Sequence, residues 1–197
     1  MIATPQSPNL TPEEYLQLEA KSDIKHEYIN SEVFAMAGAT DTHVTIAGNI
    51  FALLLSHLRG SGCRVYISDM KVRIEAQNRF YYPDVLVTCE DKDRKNSTFK
   101  QFPNLIIEVL SDSTEAFDRG DKFADYQSLP SLQEYVLVNT KKARIECFRR
   151  TKEDLWLLQF YELKDSQFDL TSIDFKGKIT DVYEQVELVE KSTDKHR

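Results

Sequence analysis

Apolar residues recur with helical spacing in three parts of the chain. Thr11-Pro12-Glu13-Glu14 is typical of a helix start, with threonine as the N-cap and proline at the first helical position. A longer helix is predicted to begin with Asp41 or Thr42 as its cap and to end near Leu58, before two glycines. A third helical pattern covers 114–128. The chain is therefore expected to hold at least three helices of unequal length.

Apolar runs with alternating or continuous character predict strands between and after these helices. A hairpin is expected at 25–36, with a tight turn at Asn30-Ser31. The alternation in 63–75 breaks near Ser68-Asp69, which favours a bulge or kink in that strand. The other predicted strands cover 80–89, 104–111, 132–138, 144–149 and 155–161, with a short strand near 168–170 and a final helix near 179–186.

This order of elements predicts an α/β (α+β) fold with a mixed sheet flanked by helices, an N-terminal helix and hairpin, and extra C-terminal strands. Residues 104–111 are almost entirely apolar, as in a central strand that is buried on both faces. With 197 residues the chain suits one domain, predicted at 11–190 between a loose leader (1–10) and a frayed end (191–197).

Composition and charge narrow the class of protein. Hydrophobic residues make up 41% and charged residues 29%, as in ordinary soluble globular proteins, and no apolar run approaches the roughly 18 residues of a membrane span. The N-terminus has no secretory signal pattern, so a cytoplasmic location is expected. The net charge of -7 argues against a strong non-specific grip on nucleic acid, although metal-binding carboxylates themselves contribute to it.

The cysteines do not form a metal-binding pattern. Cys63, Cys89 and Cys147 are odd in number, widely spaced and without a CxxC pair, which argues against a zinc site and against a disulfide framework. Cys89 and Cys147 lie in apolar strand-like runs. We expect them to be buried thiols in a reducing cytoplasm.

Two acidic residues in apolar strands are candidates for metal binding. Glu108 lies inside Leu105-Ile106-Ile107-Glu108-Val109-Leu110, where a lone carboxylate needs a cation, a metal or a hydrogen-bond network. A structural glutamate paired with an arginine is the commoner explanation. Asp84 also leads into an apolar strand, after Pro83, and two acids at the ends of neighbouring strands can converge on one Mg²⁺.

Lys122 adds a cation to this pair. It lies on the helix after the Glu108 strand, and a strand-to-helix return can carry it back over the sheet edge. An ammonium there can orient a water or stabilise charge on a phosphoryl group. A solvated surface lysine is the alternative.

Taken in order, Pro83-Asp84, the strand Glu108-Val109-Leu110-Ser111 and the segment Asp118 to Lys122 with Tyr126 resemble the PD-(D/E)XK superfamily. More narrowly, they resemble the Uma-type family of bacterial restriction-endonuclease-like proteins, formerly a domain of unknown function. His26-Glu27-Tyr28-Ile29-Asn30-Ser31-Glu32-Val33 is similar to that family's opening hairpin, His43 to the start of its long helix, and Gln133 to Val138 to its later strand. The resemblance covers about residues 10–150.

The resemblance implies a restriction-endonuclease-like core with a site for Mg²⁺ or Mn²⁺. Asp84 would be the first metal ligand, Glu108 the second, and the backbone carbonyl of Val109 a third. Val109-Leu110 stands where the superfamily has X-Lys, and Lys122 would supply the lysine from the following helix. Two further residues are implied as members of the site, Glu32 as a metal or water ligand and His43 as a base or substrate contact, although a capping or packing role is commoner for such a histidine.

The function implied is magnesium-dependent hydrolysis of phosphodiester bonds in DNA, by a homodimer without membrane association. The charged loop 90–101, with Lys92, Arg94, Lys95 and Lys100, is a candidate for contact with the DNA backbone, or else a solvated loop. Two alternatives stay open. One is a catalytically silent module that binds nucleic acid or protein on the same fold, and the other is a metal-dependent hydrolase with a different substrate.

Overall fold

A tight hairpin near the N-terminus begins the first sheet. The structure, a computed structural model, describes residues 9–188. Strands β1 (His26–Ile29) and β2 (Glu32–Ala35) pair antiparallel, and the turn residues Asn30 and Ser31 have φ angles of 50° and 72°. A two-residue type I′ turn requires positive φ at both positions. The predicted hairpin and its turn are therefore confirmed.

The first helix, α1 (Pro12–Glu19), packs against this hairpin. The Thr11 side chain accepts from the Glu14 N–H, and the Glu14 carboxylate accepts from the Thr11 N–H, so that the predicted N-terminus is a complete capping box. Leu10, which the sequence assigns to the leader, donates its N–H to the Ser31 carbonyl at 2.9 Å. The remainder of the predicted leader, 1–8, and the chain beyond 188 lie outside the described residues.

Helix α2 (Asp41–His57) is the long helix that the spacing predicts, but its cap differs. Thr40 is the N-cap, with extended backbone (φ -79°, ψ 161°) and a side chain that accepts from the His43 N–H at 3.3 Å. The prediction of Asp41 or Thr42 as the cap was wrong because Asp41 is already helical. Gly60 has φ of 78°, which ends the helix region in a conformation that glycine tolerates.

A long antiparallel hairpin then passes from one sheet into the other. One arm changes sheet at Ser68, which has a φ of 51°. The Ser68 N–H donates to the Asp84 carbonyl at 3.0 Å, so the other arm changes sheet at the residue opposite, Asp84. The predicted strands 63–75 and 80–89 are each divided in two, which replaces the expected bulge. The four strands are β3 (Arg64–Ile67), β4 (Lys71–Ile74), β5 (Arg79–Tyr81) and β6 (Val85–Thr88).

The strands form two main sheets and a small C-terminal hairpin. One sheet has the order β2-β1-β5-β4-β7 and the other β11-β10-β9-β8-β6-β3. Among the strands of residues 9–188, only β8 with β9 and β4 with β7 pair in parallel, so there are two mixed sheets where a mixed sheet was predicted. The remaining strands are β7 (Phe99–Lys100), β8 (Leu105–Val109), β9 (Glu134–Val138), β10 (Arg144–Arg150), β11 (Trp156–Glu162), β12 (Gln167–Leu170) and β13 (Phe175–Lys178).

The shorter helices connect these strands. The predicted helix 114–128 is broken at Gly120, whose backbone (φ -112°, ψ -103°) is not helical. The predicted final helix is shorter than expected, and β13, which the sequence did not predict, precedes it. These helices are α3 (Asp91–Arg94), α4 (Glu115–Arg119), α5 (Asp121–Gln127) and α6 (Ile179–Val182).

Three apolar cores hold the layers together. The largest packs α2, α6 and the β12–β13 hairpin on one face of the six-stranded sheet. The second joins the other face of that sheet to α5 and to β4 and β5 of the first sheet, around Tyr81, Tyr126 and Tyr135. The third packs Tyr15 of α1 on the outer face of the first sheet. Since α5 lies against both sheets, its side chains reach the junction where the long hairpin changes sheet.

The cysteines depart from the prediction. Cys63 and Cys89 form a disulfide, whereas Cys147 is a free, buried thiol as predicted. The register that pairs Arg64 with Thr88 continues by one residue to place the two cysteines opposite each other, with their Cα atoms 4.0 Å apart. Cysteine spacing alone does not reveal this pairing, because it depends on a long-range strand register. In the part of the chain from 9 to 188, no helix is long and apolar enough to cross a membrane.

Candidate active site

Strand register brings the two predicted acids together. β6 and β8 pair antiparallel with Val85 opposite Ile107, and the same register, one residue further, places Asp84 opposite Glu108. The Asp84 N–H donates to Glu108 Oε2 at 3.4 Å. Asp84 lies at the sheet change before β6, and Glu108 lies near the carboxyl end of β8. The two carboxylates thus lie beside each other at one end of two central strands of the six-stranded sheet.

The Asp84 carboxylate is held by the backbone and by a histidine. Its Oδ2 accepts the Val109 N–H at 2.7 Å, and its Oδ1 lies 2.9 Å from His43 Nε2. Its side chain is 19% exposed, against 4% for Glu108, so this carboxylate is the more accessible of the two to solvent. Burial lowers the pKa of His43, but the hydrogen bond and charge of Asp84 outweigh burial, and the pKa is raised overall. His43 therefore contacts the site, beyond packing in α2.

The Glu108 side chain is buried, and its two oxygens do not have equally short contacts. Its Oε1 lies 2.9 Å from Lys122 Nζ and accepts a long hydrogen bond of 3.5 Å from the Tyr126 hydroxyl. Burial raises the pKa of Glu108 well above its usual range, the Lys122 charge opposes this, and the nearby Asp118 and Asp84 carboxylates raise the pKa further. A carboxylate in this situation gains from a further positive charge.

Lys122 lies at the centre of an acidic group. Besides Glu108, its ammonium lies 3.3 Å from Glu27 Oε1 and 3.6 Å from Asp118 Oδ1, and it sits over the Tyr81 ring at 5.5 Å from the centroid. Burial lowers the pKa of Lys122, but the surrounding carboxylates outweigh burial and raise it well above the ordinary value. The lysine is therefore charged. As expected, its side chain extends from α5 to the end of β8, where it contacts Glu108.

The cluster carries more negative than positive groups. Four carboxylates surround one ammonium and one imidazole, and they are Glu27, Asp84, Glu108 and Asp118 with Lys122 and His43. All six side chains are less than one-fifth exposed. An excess of buried negative charge is costly, and the raised pKa of Glu108 reflects that cost. A proton on Glu108 or an added cation would each relieve it.

The donor set fits a hard divalent cation. Asp84 and Glu108 provide carboxylate oxygens, which retain lone pairs beyond the hydrogen bonds described. The Val109 N–H points at Asp84, and the carbonyl of a strand residue points to the same side as its N–H. Within 9–188, no three histidine, cysteine, aspartate or glutamate side chains converge to hold a metal. Two carboxylates, with water and substrate oxygens completing the shell, is the mode that Mg²⁺ commonly uses.

The hairpin contributes a different glutamate from the one expected. Glu27, on β1, contacts Lys122 and accepts from the Tyr82 N–H at 3.4 Å, whereas Glu32 stands opposite Ile29 near the turn. Among residues 9–188, no side-chain hydrogen bond or ion pair joins Glu32 to the cluster, and its predicted role stays a prediction.

Asp118 was also missed as a site residue, although one feature of the sequence could have indicated it. It precedes Lys122 by four residues, a spacing that brings an acid and a base together on consecutive turns. For Glu27 the sequence gives a weaker indication of a place in the site. It alternates with His26 and Tyr28, which are buried on one face of β1, so Glu27 lies on the other face.

The loop predicted as a DNA contact lies at the opposite end of the strands from the two acids. Residues 90–101 follow the carboxyl end of β6, and β6 runs antiparallel to β8, so the loop is far from Asp84 and Glu108, and its contact with DNA stays a prediction. Lys100 is buried, and its ammonium donates to the Asp93 carbonyl at 2.8 Å. Instead, the turn after β9 lies at the site's edge, because β9 pairs in parallel with β8. It carries the exposed Lys141 and Lys142.

Comparison with known proteins identifies the family of this chain. Residues 12–175 match the Uma2 family, whose description is "Putative restriction endonuclease". The chain belongs to the Uma2 family. Two uncharacterized proteins of Synechocystis sp. are similar: slr1290 is 39% identical over 176 residues, covering 89% of this chain and 92% of that protein, and sll1609 is 36% identical over 151 residues, covering 76% and 85%.

A solved structure shares the fold. The crystal structure of "a putative nuclease belonging to DUF820" from Anabaena variabilis superposes with a TM-score of 0.74, covering 90% of this chain and 99% of that one. The sequence identity is 14%, so the likeness shows the fold alone. The predicted family and fold class are thus confirmed for this Uma2 protein.

Proposed function

We propose that this Uma2 protein is a divalent-metal-dependent endonuclease that hydrolyses phosphodiester bonds of DNA in the cytoplasm, as a homodimer. The observation that carries the proposal is the pairing of Asp84 and Glu108 across β6 and β8, with Lys122 at 2.9 Å from Glu108. The description of the family as a restriction endonuclease and the nuclease fold support the same chemistry.

In this mechanism Asp84, Glu108 and the carbonyl of Val109 would hold Mg²⁺ or Mn²⁺. When bound, such an ion polarises the scissile phosphate and lowers the pKa of water. Lys122, charged and next to Glu108, would orient the attacking water and stabilise negative charge on the phosphoryl group. His43 would fix the orientation of the Asp84 carboxylate, as residues behind metal ligands commonly do.

Glu27 and Asp118 have a supporting part in this proposal. Both contact the Lys122 ammonium, Glu27 from β1 at 3.3 Å and Asp118 from α4 at 3.6 Å. These contacts keep the lysine charged and limit the positions of its long side chain. We assign both residues as positioning groups for Lys122, since within 9–188 neither forms a hydrogen bond or an ion pair with Asp84.

The turn after β9 is our candidate for contact with the DNA backbone. Asn139 Oδ1 accepts the N–H groups of Lys141 and Lys142 at 2.8 Å and 3.0 Å, which fixes the turn, and both lysines are exposed at the edge of the sheet that bears the site. Lys141 forms an ion pair with Asp112, but both side chains are exposed (63% and 78%), so a phosphate can compete with Asp112 for this ammonium. Exposed ammonium groups beside a metal site are the contacts that a polyanion needs.

A plasmid-nicking assay with Mg²⁺ or Mn²⁺ tests the proposed activity. The wild type is expected to convert supercoiled plasmid to nicked or linear forms, and EDTA to stop the conversion. Glu108→Ala is expected to be inactive, and Glu153→Ala, which removes an exposed glutamate far from the site, to be as active as the wild type. If plasmid stays intact with every metal, the nuclease proposal is wrong. If Glu108→Ala cleaves equally well, the assigned site is wrong.

The DNA contact has its own test with a matched control. The double variant Lys141→Ala, Lys142→Ala removes two cations at the site's edge, and Lys92→Ala, Lys95→Ala removes two exposed cations from the loop at the far end of the strands. We expect the first to reduce the salt dependence of DNA binding by about one to two ions and the second to leave it unchanged. Equal effects of the two variants would exclude the turn as a specific contact.

A further inference from the structure

The last strand of the six-stranded sheet exposes an unusual number of apolar side chains. β11 is at the edge of this sheet and pairs only with β10 among the described strands. Large apolar residues in and beside it are strongly exposed: Leu155 (62%), Leu157 (61%), Leu158 (42%), Phe160 (45%) and Leu163 (57%). These are five of the nine exposed large hydrophobic residues described for the protein. An apolar patch concentrated on one element indicates an interaction surface.

The edge also lacks the features that protect free strands. Natural edge strands are commonly shielded by lysine, proline, a bulge or a very short length. β11 has seven residues, pairs with β10 in a continuous register from Arg150–Trp156 to Arg144–Glu162, and has no charged residue before Glu162. A regular, uncharged strand of this length is suited to pairing with another strand.

The free backbone groups of β11 can be assigned from its ladder. The Thr151 N–H donates to the Leu155 carbonyl, and from this point alternate residues of β11 face β10. The N–H and C=O groups of Leu158 and Phe160 therefore point away from β10, toward the open side. If a second β11 pairs antiparallel with this one, its outward-pointing groups also belong to even-numbered residues. The two strands can therefore form hydrogen bonds only in a register that places even-numbered residues opposite each other.

We propose that β11 pairs antiparallel with β11 of a second copy of this chain, on a two-fold axis at Gln159. In this register Leu158 lies opposite Phe160 of the partner subunit, so that the outward-pointing backbone groups of both strands form hydrogen bonds. The same residues of each strand then face each other across the axis, which is the self-complementarity that an isologous contact requires.

The residues outside the structure have the wrong composition for this surface. The segment 1–8 contains only Met1, Ile2 and Ala3 as apolar residues, and 189–197 contains only Val189. Neither segment offers a run of apolar residues that would cover the exposed side chains on both faces of β11. β11 itself has such a run, WLLQFY, which favours a second copy as the partner. The contact extends the proposed homodimer to a defined surface and does not depend on cleavage of DNA.

Molar mass in solution tests the interface. The full chain is expected to sediment as a dimer, at twice 22.8 kDa, at micromolar concentration. Leu158→Lys replaces an apolar contact at the axis with charges that repel across it, and we expect at least a tenfold rise in the dissociation constant and a monomer mass. Leu55→Lys is the matched control, because Leu55 is equally exposed (42%) but lies on α2. It should stay dimeric.

A cysteine placed on the axis tests the register. Residues opposite each other in a non-hydrogen-bonded antiparallel pair have Cα atoms about 4.5 Å apart, which a disulfide can span. Gln159→Cys is therefore expected to form a covalent dimer under mild oxidation, and Leu55→Cys is not. Either of two results would overturn the proposal. One is a wild type that stays monomeric even at 100 times the micromolar concentration of the sedimentation experiment. The other is a Gln159→Cys protein that gives no more covalent dimer than Leu55→Cys. Because these readouts do not use DNA, they leave the nuclease proposal to its own assay.

Discussion

Two buried glutamates on neighbouring strands show how differently a carboxylate can be accommodated. Glu134 on β9 and Glu108 on β8 are both less than 4% exposed, and both lie in apolar runs. Glu134 accepts from Arg149 Nε at 2.7 Å, from the Thr171 N–H at 3.0 Å and from the Ser172 N–H at 2.9 Å, with both hydroxyl groups in addition.

Glu108 has only one short contact, the 2.9 Å ion pair with Lys122. Its other contacts, from Tyr126 and from the Asp84 N–H, are 3.5 Å and 3.4 Å long. Its neighbours are themselves acidic, whereas the neighbours of Glu134 are an arginine and hydrogen-bond donors. Burial alone therefore does not identify a functional carboxylate. The number of short donor contacts and the charge of the surroundings distinguish the structural glutamate from the candidate ligand.

The largest effect is expected from Glu108→Gln on cleavage. Loss of a metal ligand removes several kcal/mol of transition-state stabilisation, so we expect cleavage to fall on the order of 10³-fold. Stability should change by less than about 1 kcal/mol, because burial already favours the uncharged form of Glu108 and Lys122 keeps Glu27 and Asp118. Plasmid cleavage and urea unfolding of the same preparation measure both quantities. A large loss of stability would place Glu108 in the same structural class as Glu134.

Glu134→Gln is expected to show the reverse. The amide NH2 of glutamine cannot accept from the Thr171 and Ser172 N–H groups, so although Arg149 keeps Asp169, buried donors lose their acceptor, at a cost of about 3 kcal/mol of unfolding free energy. The folded fraction should cleave DNA at the wild-type rate, since Glu134 lies at the opposite end of the strands from Glu108. Urea unfolding and an assay corrected for folded protein test this. Normal stability with lost cleavage would reverse the two assignments.

The sequence was most informative where the evidence is local. The apolar run around Glu108, the turn at Asn30-Ser31 and the cap at Thr11 depend on neighbouring residues, and the structure has all three. The helical segment between two successive strands predicted that Lys122 approaches the Glu108 strand, and α4 and α5 do join the parallel strands β8 and β9. These features require no knowledge of distant pairing.

What the sequence missed depends on tertiary register. The change of sheet at Ser68, the disulfide of Cys63 with Cys89, and the contact of Glu27 with Lys122 all join segments that only the folded sheets bring together. The hydrogen bonds that satisfy the Glu134 carboxylate also depend on tertiary structure, since two of its donors, residues 171 and 172, lie far along the chain. A single sequence therefore suggested the acid pair but could not separate Glu108 from Glu134 by their surroundings.

His43→Ala tests whether the Asp84 half of the site is held in place for a metal. Removing a residue that orients a metal ligand commonly weakens metal binding 10- to 100-fold. We expect that loss in a calorimetric titration with Mn²⁺, with the fold retained. His57→Ala is the control, because His57 lies on the same helix but contacts the Ile173 carbonyl at 2.9 Å. Equal Mn²⁺ affinity of the two variants would show that His43 does not position Asp84.

The smallest effects compare one hydrogen bond at each glutamate. Tyr126→Phe removes a donor that is 3.5 Å from Glu108, at the limit of a hydrogen bond, so it should cost at most about 0.5 kcal/mol. Ser172→Ala removes a hydroxyl that is 2.5 Å from Glu134, and a hydrogen bond to a charged group contributes about 1.5 kcal/mol or more. Urea midpoints at an unchanged m-value measure the difference. If Tyr126→Phe costs more, Glu108 is already satisfied by the protein, and the case for a cation beside it weakens accordingly.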